Sequence, residues 1–260
     1  MANKAGGVGM GGFDMHIHST ASDGQWTPQQ IIDFAADSCL DGIAMTDHDT
    51  VAGLGEACLL AADRDLPFIP GIEFSAEWHE RDVHILGYWL SYEETWFLDK
   101  LEELQEARRQ RCLGMADRLK ALGMEIDGEA IIEQAGNSVG RPHVARALVE
   151  KGYARTMKEA FQRWLARGMA AYIPRHKFCP FEAVDIIRQV GGVAVLAHPG
   201  VGIPDNLLEK LAIYGLGGVE VYHPEHDRRA EQKYLNFARY FRLAALGGSD
   251  FHGSTERGIG

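Results

Sequence analysis

The stretch Phe13-Asp14-Met15-His16-Ile17-His18-Ser19 decides how the rest of the chain is interpreted. Side chains alternate between the two faces of a β-strand, so His16 and His18 point to one face while Phe13 and the alternate apolar residues after it point into packing. Two imidazoles on one face can hold a metal ion. Because histidine has many other roles, the pair alone is weak evidence, and the prediction depends on motifs later in the chain.

Six further runs of apolar, β-branched or glycine-bounded residues predict strands, and helical patterns separate many of them. Together with 13–18, the predicted strands are 42–47, 67–74, 83–88, 193–197, 217–221 and 244–248. The first helix has Thr27 as its N-cap, Pro28 at its first position and Gln30 in the capping-box place. Other helices are predicted at about 50–63, 180–190, 205–214 and 227–240. This alternation predicts an α/β fold with a mainly parallel sheet, either closed as a barrel or open.

Between Ser91 and Pro174 the pattern changes to consecutive helices, which we interpret as a helical insertion in a barrel. The predicted organisation is a disordered leader at 1–12, a barrel domain formed by 13–90 and 174–260, and a helical insertion subdomain at 91–173. Within the insertion, Arg108, Arg109 and Arg111 are interpreted as a solvated helix face. The aromatic side chains expected mostly in packing are Trp96, Tyr153, Phe161 and Trp164.

Composition narrows the class of protein. The length of 260 residues suits one α/β barrel, which needs no disulfide to be stable. The four cysteines are Cys39, Cys58, Cys112 and Cys179, and they form no Cys-x-x-Cys pair. This spacing argues against a thiolate zinc site and against a disulfide framework, and it predicts a reducing, cytoplasmic location. No apolar run reaches the about 18 residues of a membrane span, so no membrane partner is expected. The formal charge of -11 would repel a polyanion such as duplex DNA unless bound cations or basic patches reverse the field locally.

Candidate ligands stand at the ends of almost all the predicted strands, where α/β barrels build their active sites. They lie in Thr46-Asp47-His48-Asp49, Gly71-Ile72-Glu73, Ala197-His198-Pro199 and Asp250-Phe251-His252, with His84 at the start of the fourth strand. Imidazole and carboxylate without thiolate suit Mn²⁺, with Zn²⁺ or Fe²⁺ as alternatives. Two or three clustered ions would polarise a phosphoryl oxygen and generate hydroxide from bound water. The residues therefore predict metal-assisted hydrolysis.

At these motifs the chain resembles the polymerase and histidinol phosphatase (PHP) family of metal-dependent phosphoesterases. The resemblance covers about 13–90 and 174–253 and includes Asp23 beside the strand-end motifs. It implies a distorted (β/α)7 barrel and three metal positions. By this resemblance the first ion would be held by His16, His18, Glu73 and Asp250, the second by Glu73, His84 and His198, and the third by Asp23, His48 and His252. Asp47 and Asp49 are expected to orient the ligand side chains through hydrogen bonds, without binding the metal themselves.

The insertion and three stretches resemble the branch of this family that acts on nucleotides. The stretches are Arg141-Pro142-His143, Tyr172-Ile173-Pro174-Arg175 and Glu220-Val221-Tyr222-His223-Pro224-Glu225-His226. That branch removes the 3'-phosphate of nucleoside 3',5'-bisphosphates or trims 5' nucleotides from short RNA. The residues expected at the substrate are Arg141, His143, Arg175, Lys177, Tyr222, His223 and His226, and the catalytic set is Asp250, His198, Arg141 and His143. Arginine can grip a phosphate through a bidentate fork, and His143 or His226 could donate a proton to a phosphate oxygen or leaving group.

Two alternatives to a nucleotide hydrolase remain open from the sequence. The chain could be a histidinol-phosphate phosphatase, which would use the same ligands on a different ester. It could also be a non-catalytic PHP module with a structural or partner-binding role, of the kind attached to polymerases. An intact set of ligands and the absence of a polymerase segment favour the enzyme.

Overall fold

In the computed structural model of the protein, the structure describes residues 12–38, 40–253 and 258–260. The predicted leader therefore lies outside the described residues except for Gly12, and Cys39 lies outside them as well. The strands are β1 (Phe13–Asp14), β2 (Gly42–Met45), β3 (Phe68–Trp78), β4 (Arg81–Tyr88), β5 (Val193–Leu196), β6 (Gly218–Tyr222) and β7 (Ala244–Gly247). The helices are α1 (Pro28–Asp37), α2 (Leu54–Asp63), α3 (Thr95–Ala121), α4 (Gly128–Ala135), α5 (Arg141–Glu150), α6 (Met157–Ala160), α7 (Pro180–Gln189), α8 (Asp205–Tyr214) and α9 (Arg228–Phe241), with a π-helical turn at Phe161–Leu165.

The strands form one sheet in the order of the sequence, which confirms the seven predicted strands. A bridge between Ile17 and Phe251, and a hydrogen bond from the Met15 N–H to the Gly247 carbonyl, bring the first strand beside the last. The sheet is thus a nearly closed barrel with helices around it. The capping box predicted for α1 is present, because the Thr27 hydroxyl accepts the Gln30 N–H while the Gln30 side chain accepts the Thr27 N–H.

Strand β4 departs from the parallel pattern, since it runs antiparallel to both β3 and β5. Its first half therefore lies at the end of the barrel where the parallel strands have their carboxyl ends. His84 is paired with Ser75 on β3, and its carbonyl accepts the N–H of Ala197 after β5. This reversal explains why a candidate ligand near the start of β4 lies beside ligands that come after the other strands.

Within the described part of the chain, buried apolar side chains form three clusters. The main cluster lies between the sheet and the surrounding helices, including Ile31 on α1 and Ile187 on α7. A small cluster that includes Met15, Leu86 and Val195 forms a layer inside the barrel. Another cluster lies wholly among residues 112–173, so the helices between β4 and α7 have an apolar core of their own.

Two expectations about packing are wrong. Phe13 is 45% exposed because it begins the first strand, where its ring lies over Gly42 near the surface of the barrel. Trp96 is 40% exposed at the start of α3, whereas Tyr153, Phe161 and Trp164 pack against the cluster formed by residues 112–173, as expected. Among the described residues, no helix combines the length and the apolar character needed to cross a bilayer.

Candidate metal centre

Three sets of histidine and carboxylate side chains converge where the parallel strands end. Within each set, one donor atom per residue can be chosen so that all lie within 4.8 Å of one another. The sets are His16, His18, Glu73 and Asp250; His48, Glu73 and His84; and His18, Asp23, His48 and His252. The family resemblance implied three groups of similar membership, but the structure also brings His18 to the third set and His48 to the second. Glu73 and His84 project from within β3 and β4, and the other residues lie in the segments that follow β1, β2 and β7.

Glu73 is the point at which the sets meet, and its carboxylate is almost fully buried. Each of its oxygens lies within 3.3 Å of imidazole nitrogens. The nitrogens belong to His16, His18 and His48 around Oε2, and to His84 and His198 around Oε1. His198, which stands outside the three sets, therefore joins the centre through Glu73. A carboxylate with both oxygens facing imidazoles can bridge two ions.

Several buried polar atoms here form no hydrogen bond of suitable geometry in the described structure, although some of them lie close to an oppositely charged group. They are Glu73 Oε2, Asp23 Oδ1 and both ring nitrogens of His84. Leaving such atoms unpaired costs about 1–3 kcal/mol each, and more for charged groups. Divalent cations would pair with all of them, and nitrogen and oxygen donors without thiolate suit Mn²⁺, Zn²⁺ or Fe²⁺. The residues therefore fit divalent metal ions.

The charges in the centre favour cations as well. Burial raises the pKa of Asp250, but His16 and His18 outweigh it and hold that pKa well below the usual range. Burial lowers the pKa of His84 to about 4, and the nearby His48 and His198 add to the effect against the attraction of Glu73. Burial lowers the pKa of His18, but Asp250 and Glu73 outweigh it and raise that pKa to about 10, so the carboxylates of the centre attract positive charge. Ionised carboxylates and neutral imidazoles are the forms that bind metal, so an ion bound at His18 would displace a proton.

Asp47 supports the loop that carries Asp23. Its carboxylate accepts the Ser19 N–H at 2.7 Å, the Ser19 hydroxyl at 2.7 Å and the Ser22 hydroxyl at 2.6 Å. The Ser22 oxygen in turn lies 3.5 Å from Nδ1 of His18. Asp47 thus contacts two serines of the loop rather than an imidazole, and it fixes the backbone between two candidate ligands.

Arg108 connects the insertion to the centre, so its interpretation as a solvated helix face is wrong. Its guanidinium donates to Asp49 at 2.7 Å from Nε and to the Ser75 hydroxyl at 2.8 Å. The Ser75 oxygen lies 3.2 Å from Nδ1 of His48. Asp49 also accepts the Ser75 N–H at 2.9 Å, so it orients His48 through Ser75.

Arg111 is buried and Arg108 is half-buried, and the reason lies in the periodicity of α3. Arg108 and Arg111 share the stripe of Leu104 and Met115 at helical spacing, so they face the interior. Arg111 donates to the Ile173 carbonyl at 2.9 Å. Arg109 alone fits the expectation, because it lies on the outer face and forms ion pairs with acidic residues of its own helix.

An excess of positive charge lies beside the metal centre. We call Arg108, Arg111, Arg141 and Arg175 the arginine cluster; the carboxylates paired with it are Asp49 and Asp82. Burial raises the pKa of Asp82, but Arg175 and Arg141 lower it to about 2. Burial, together with the repulsion of the other cluster members, lowers the pKa of Arg111 to about 9. Nε of Arg175 is buried and forms no hydrogen bond with a residue that the structure describes. The arginine cluster is therefore short of anionic partners.

Three of the residues expected at the substrate are His143, His226 and Lys177. His143 is buried, with Nδ1 accepting the Gly140 N–H and Nε2 facing the Ser22 carbonyl at 3.1 Å. His226 is buried, with Nδ1 facing the Val221 carbonyl and Nε2 accepting the Gly200 N–H. Both ring nitrogens of each residue are thus used within the protein. Lys177 is exposed, and no ion pair joins its ammonium to a residue that the structure describes.

His223 and Tyr222 are neighbours at the end of β6 but face different surroundings. Nδ1 of His223 accepts the Glu225 N–H at 3.1 Å, which leaves the ring proton on Nε2. That Nε2 is buried and lies 3.6 Å from Oδ2 of Asp250. The Tyr222 ring is exposed and lines a surface cleft with Phe13. His223 therefore directs an N–H at the centre from outside the three sets.

Sequence reasoning gave no role to Glu220, which lies inside the barrel against His16. The signal was present: Glu220 is a charged residue in the apolar strand Gly218-Val219-Glu220-Val221. Because side chains alternate along a strand, Val219 and Val221 face the helices while Glu220 faces the barrel interior.

Comparisons with known proteins agree with this site. The model of the PHP domain family matches residues 14–178. The 3',5'-nucleoside bisphosphate phosphatase of Chromobacterium violaceum is 35% identical over 257 residues, covering 96% of this chain and 90% of that protein. The 5'-3' exoribonuclease Rnm of Escherichia coli is 34% identical over 250 residues, with coverages of 92% and 85%. A solved structure of a protein from Bifidobacterium adolescentis, described as a metal-dependent phosphoesterase, superimposes on this chain with a TM-score of 0.89. The two are 30% identical, and the superposition covers 96% of this chain and 91% of that one.

Proposed function

Because the chain belongs to the PHP domain family and is a metal-dependent phosphoesterase, we propose that its substrate carries two phosphate groups on one nucleotide. A nucleoside 3',5'-bisphosphate has this form, and so does the 5'-phosphorylated end of a short RNA. In both, one phosphate is hydrolysed while the other is held. The observation that carries this proposal is the arginine cluster, which lies beside the metal centre and has four guanidinium groups for two paired carboxylates among the described residues.

The metal centre in this proposal contains three divalent ions, with Mn²⁺ as the first candidate. The ligands are His16, His18, Glu73 and Asp250 for the first ion, Glu73, His84 and His198 for the second, and Asp23, His48 and His252 for the third. The close approach of the donor atoms and the unpaired oxygens of Glu73 and Asp23 support this assignment. Divalent ions held there supply Lewis-acid polarisation of the phosphoryl group and lower the pKa of water.

Asp250 is the proton acceptor and His223 the proton donor at the scissile ester. Asp250 is 21% exposed toward the mouth, unlike Glu73, so its carboxylate can accept a proton from the attacking water. Nε2–H of His223 points toward Asp250 and can donate to a phosphoryl oxygen or to the leaving oxygen. Their contact at 3.6 Å places an acceptor and a donor on the same side of the centre.

The arginine cluster holds the phosphate that is not cleaved. Arg141 and Arg175 both approach Asp82, which lies two residues before His84 on β4, so the cluster and the centre share one strand. A phosphate dianion would accept from Nε of Arg175 and offset the repulsion among the guanidinium groups. Binding energy from this second phosphate then orients the scissile ester. A local positive field also lets an acidic chain attract an anionic substrate.

A phosphate-release screen tests the proposal. The Mn²⁺-loaded protein is assayed with nucleoside 3',5'-bisphosphates, the matching nucleoside monophosphates and histidinol phosphate, while short 5'-phosphorylated RNAs are monitored by nucleotide release. A Glu73→Gln variant purified in the same way controls for contaminating phosphatases. The proposal expects kcat/KM to be highest for substrates with two phosphates on one nucleotide. A preference for histidinol phosphate, or equal rates on monophosphates and bisphosphates, would overturn it.

A further inference from the structure

Glu220 is a buried carboxylate that contacts two residues of the metal centre. It projects from β6 into the barrel and is 1% exposed. Oε1 lies 3.0 Å from Nδ1 of His16, and Oε2 accepts the backbone N–H of His198 at 2.7 Å. The two oxygens thus join the segment after β5 to the segment after β1. Glu220 itself stands outside the three sets of candidate ligands.

The contact with His16 determines which ring nitrogen faces the centre. An ionised carboxylate can only accept hydrogen bonds, so the proton of His16 is on Nδ1. Nε2 is then free to coordinate, and it faces Oε2 of Glu73 at 3.3 Å and Oδ1 of Asp250 at 3.4 Å. Hydrogen bonds from behind a ligating imidazole commonly fix its tautomer and orientation in this way.

The contact with His198 holds an unfavourable backbone in place. His198 has a φ of +25°, in the left-handed region that residues with a side chain rarely adopt. Its N–H is fixed by Glu220 while its Nε2 lies 3.2 Å from Oε1 of Glu73. Glu220 therefore positions imidazoles that face the two different oxygens of Glu73.

Two features of the surroundings favour a carboxylate at position 220. A Cβ added to Gly248 would lie 2.3 Å from Cβ of His16 and 2.8 Å from Oε1 of Glu220, so glycine allows the segment after β7 to approach the pair. The neighbouring barrel layer is apolar and includes Leu86 and Val195. Burying a charge there is costly unless it is paired, and an aliphatic side chain would satisfy packing alone.

We infer that Glu220 is a positioning residue of the metal centre, which fixes the Nδ1–H tautomer of His16 and the backbone of His198 and thereby raises the affinity for the ion bound between His16 and Glu73. The inference rests on the proposed metal centre. A glutamine in this place has one acceptor and one donor. Either His16 must move its proton to the coordinating Nε2, or the amide NH₂ must face the N–H of His198.

The test is Mn²⁺ affinity in Glu220→Gln, measured by equilibrium dialysis with elemental analysis. The expected result is an affinity about 10- to 100-fold weaker than that of the wild type, the usual effect of removing such a partner. The Co²⁺-loaded variant should also show an altered visible absorption spectrum, because that spectrum reports ligand geometry. Tyr88→Phe is the matched control. It removes the buried hydrogen bond from Tyr88 to the Met15 carbonyl in the same barrel interior and keeps every ligand side chain and the contacts of Glu220, so affinity and spectrum should stay unchanged.

Equal Mn²⁺ affinity and identical Co²⁺ spectra in Glu220→Gln and wild type would overturn the inference, as would equal losses in Tyr88→Phe. Wild-type protein that binds no metal would instead contradict the proposed function. If Glu220→Gln does not fold, nitrogen NMR of the Zn²⁺-loaded wild type decides. A protonated Nδ1 on His16 with slow exchange is expected, and an Nε2–H tautomer would overturn the inference.

Discussion

Replacing Arg141 with alanine should remove one charged hydrogen-bond donor to the second phosphate while leaving the metal centre intact. Arg141 donates to Asp82 at 2.9 Å, and its guanidinium lies 5.8 Å from the centre of the Phe161 ring. Asp82 keeps a second partner in the variant, because Nε of Arg175 lies 3.6 Å from its other oxygen. The fold is therefore expected to survive the change.

The size of the effect depends on the contact that is lost. A hydrogen bond to a charged group contributes about 1.5–3 kcal/mol. At about 1.4 kcal/mol for each factor of ten, Arg141→Ala should lower kcat/KM for a nucleoside 3',5'-bisphosphate about 10- to 150-fold. Misorientation of the scissile ester would add to this loss. A small aryl phosphate has no second phosphate to hold, so its kcat/KM should change less than about threefold.

The assay compares both substrates on both proteins at saturating Mn²⁺. Arg109→Ala is the control, because Arg109 lies on the exposed face of α3 and pairs only with Glu102 and Glu106 among the described residues. It should leave both substrates unaffected. Equal losses on the bisphosphate and the aryl phosphate in Arg141→Ala would show that Arg141 does not hold a second phosphate. Arg141 would then serve the reacting phosphoryl group or the fold.

Three further outcomes are expected. Asp250→Asn should lower kcat about 10²-fold or more in steady-state kinetics with its melting temperature largely kept, because the acceptor of the water proton is lost; activity within a few-fold of wild type would contradict this. Arg108→Met should weaken Mn²⁺ binding about 10-fold in dialysis, since Ser75 then loses the donor that holds it beside His48; unchanged binding would mean that Arg108 does not support the centre. Burial and Glu129 raise the pKa of Cys112 to about 12, so little thiolate is present at pH 8. Mass spectrometry should therefore find Cys112 unmodified after iodoacetamide treatment of the native protein, and modified after treatment of the unfolded protein.

The fold was largely predictable because its signals are local. The capping box of α1 involves residues three positions apart, and the His16-x-His18 spacing depends on strand geometry alone. The direction of β4 could not be predicted, since alternating residues look the same in parallel and antiparallel strands. Only the pairing of His84 with Ser75 shows why that histidine reaches the centre from the beginning of its strand.

The surroundings of the site were harder to predict, because they depend on contacts between distant parts of the chain. His143 looked available for substrate, yet its Nε2 faces the carbonyl of Ser22 on a loop after β1. Glu220 is separated from its partner His16 by most of the sequence. Arg108 is different: its position four residues after Leu104 marked the buried face of α3, and the charge of the segment outweighed that periodicity in our interpretation.

Anomalous diffraction from crystals of the Mn²⁺-loaded protein locates ions independently of activity, so it is the sharpest test of a trinuclear phosphoesterase centre. Three peaks are expected at the mouth of the barrel, with Glu73 in contact with two of them and Asp23 in contact with the third. The absence of anomalous peaks at this mouth would contradict such a centre. A single ion, with Glu73 in contact with that ion alone, would contradict it as well.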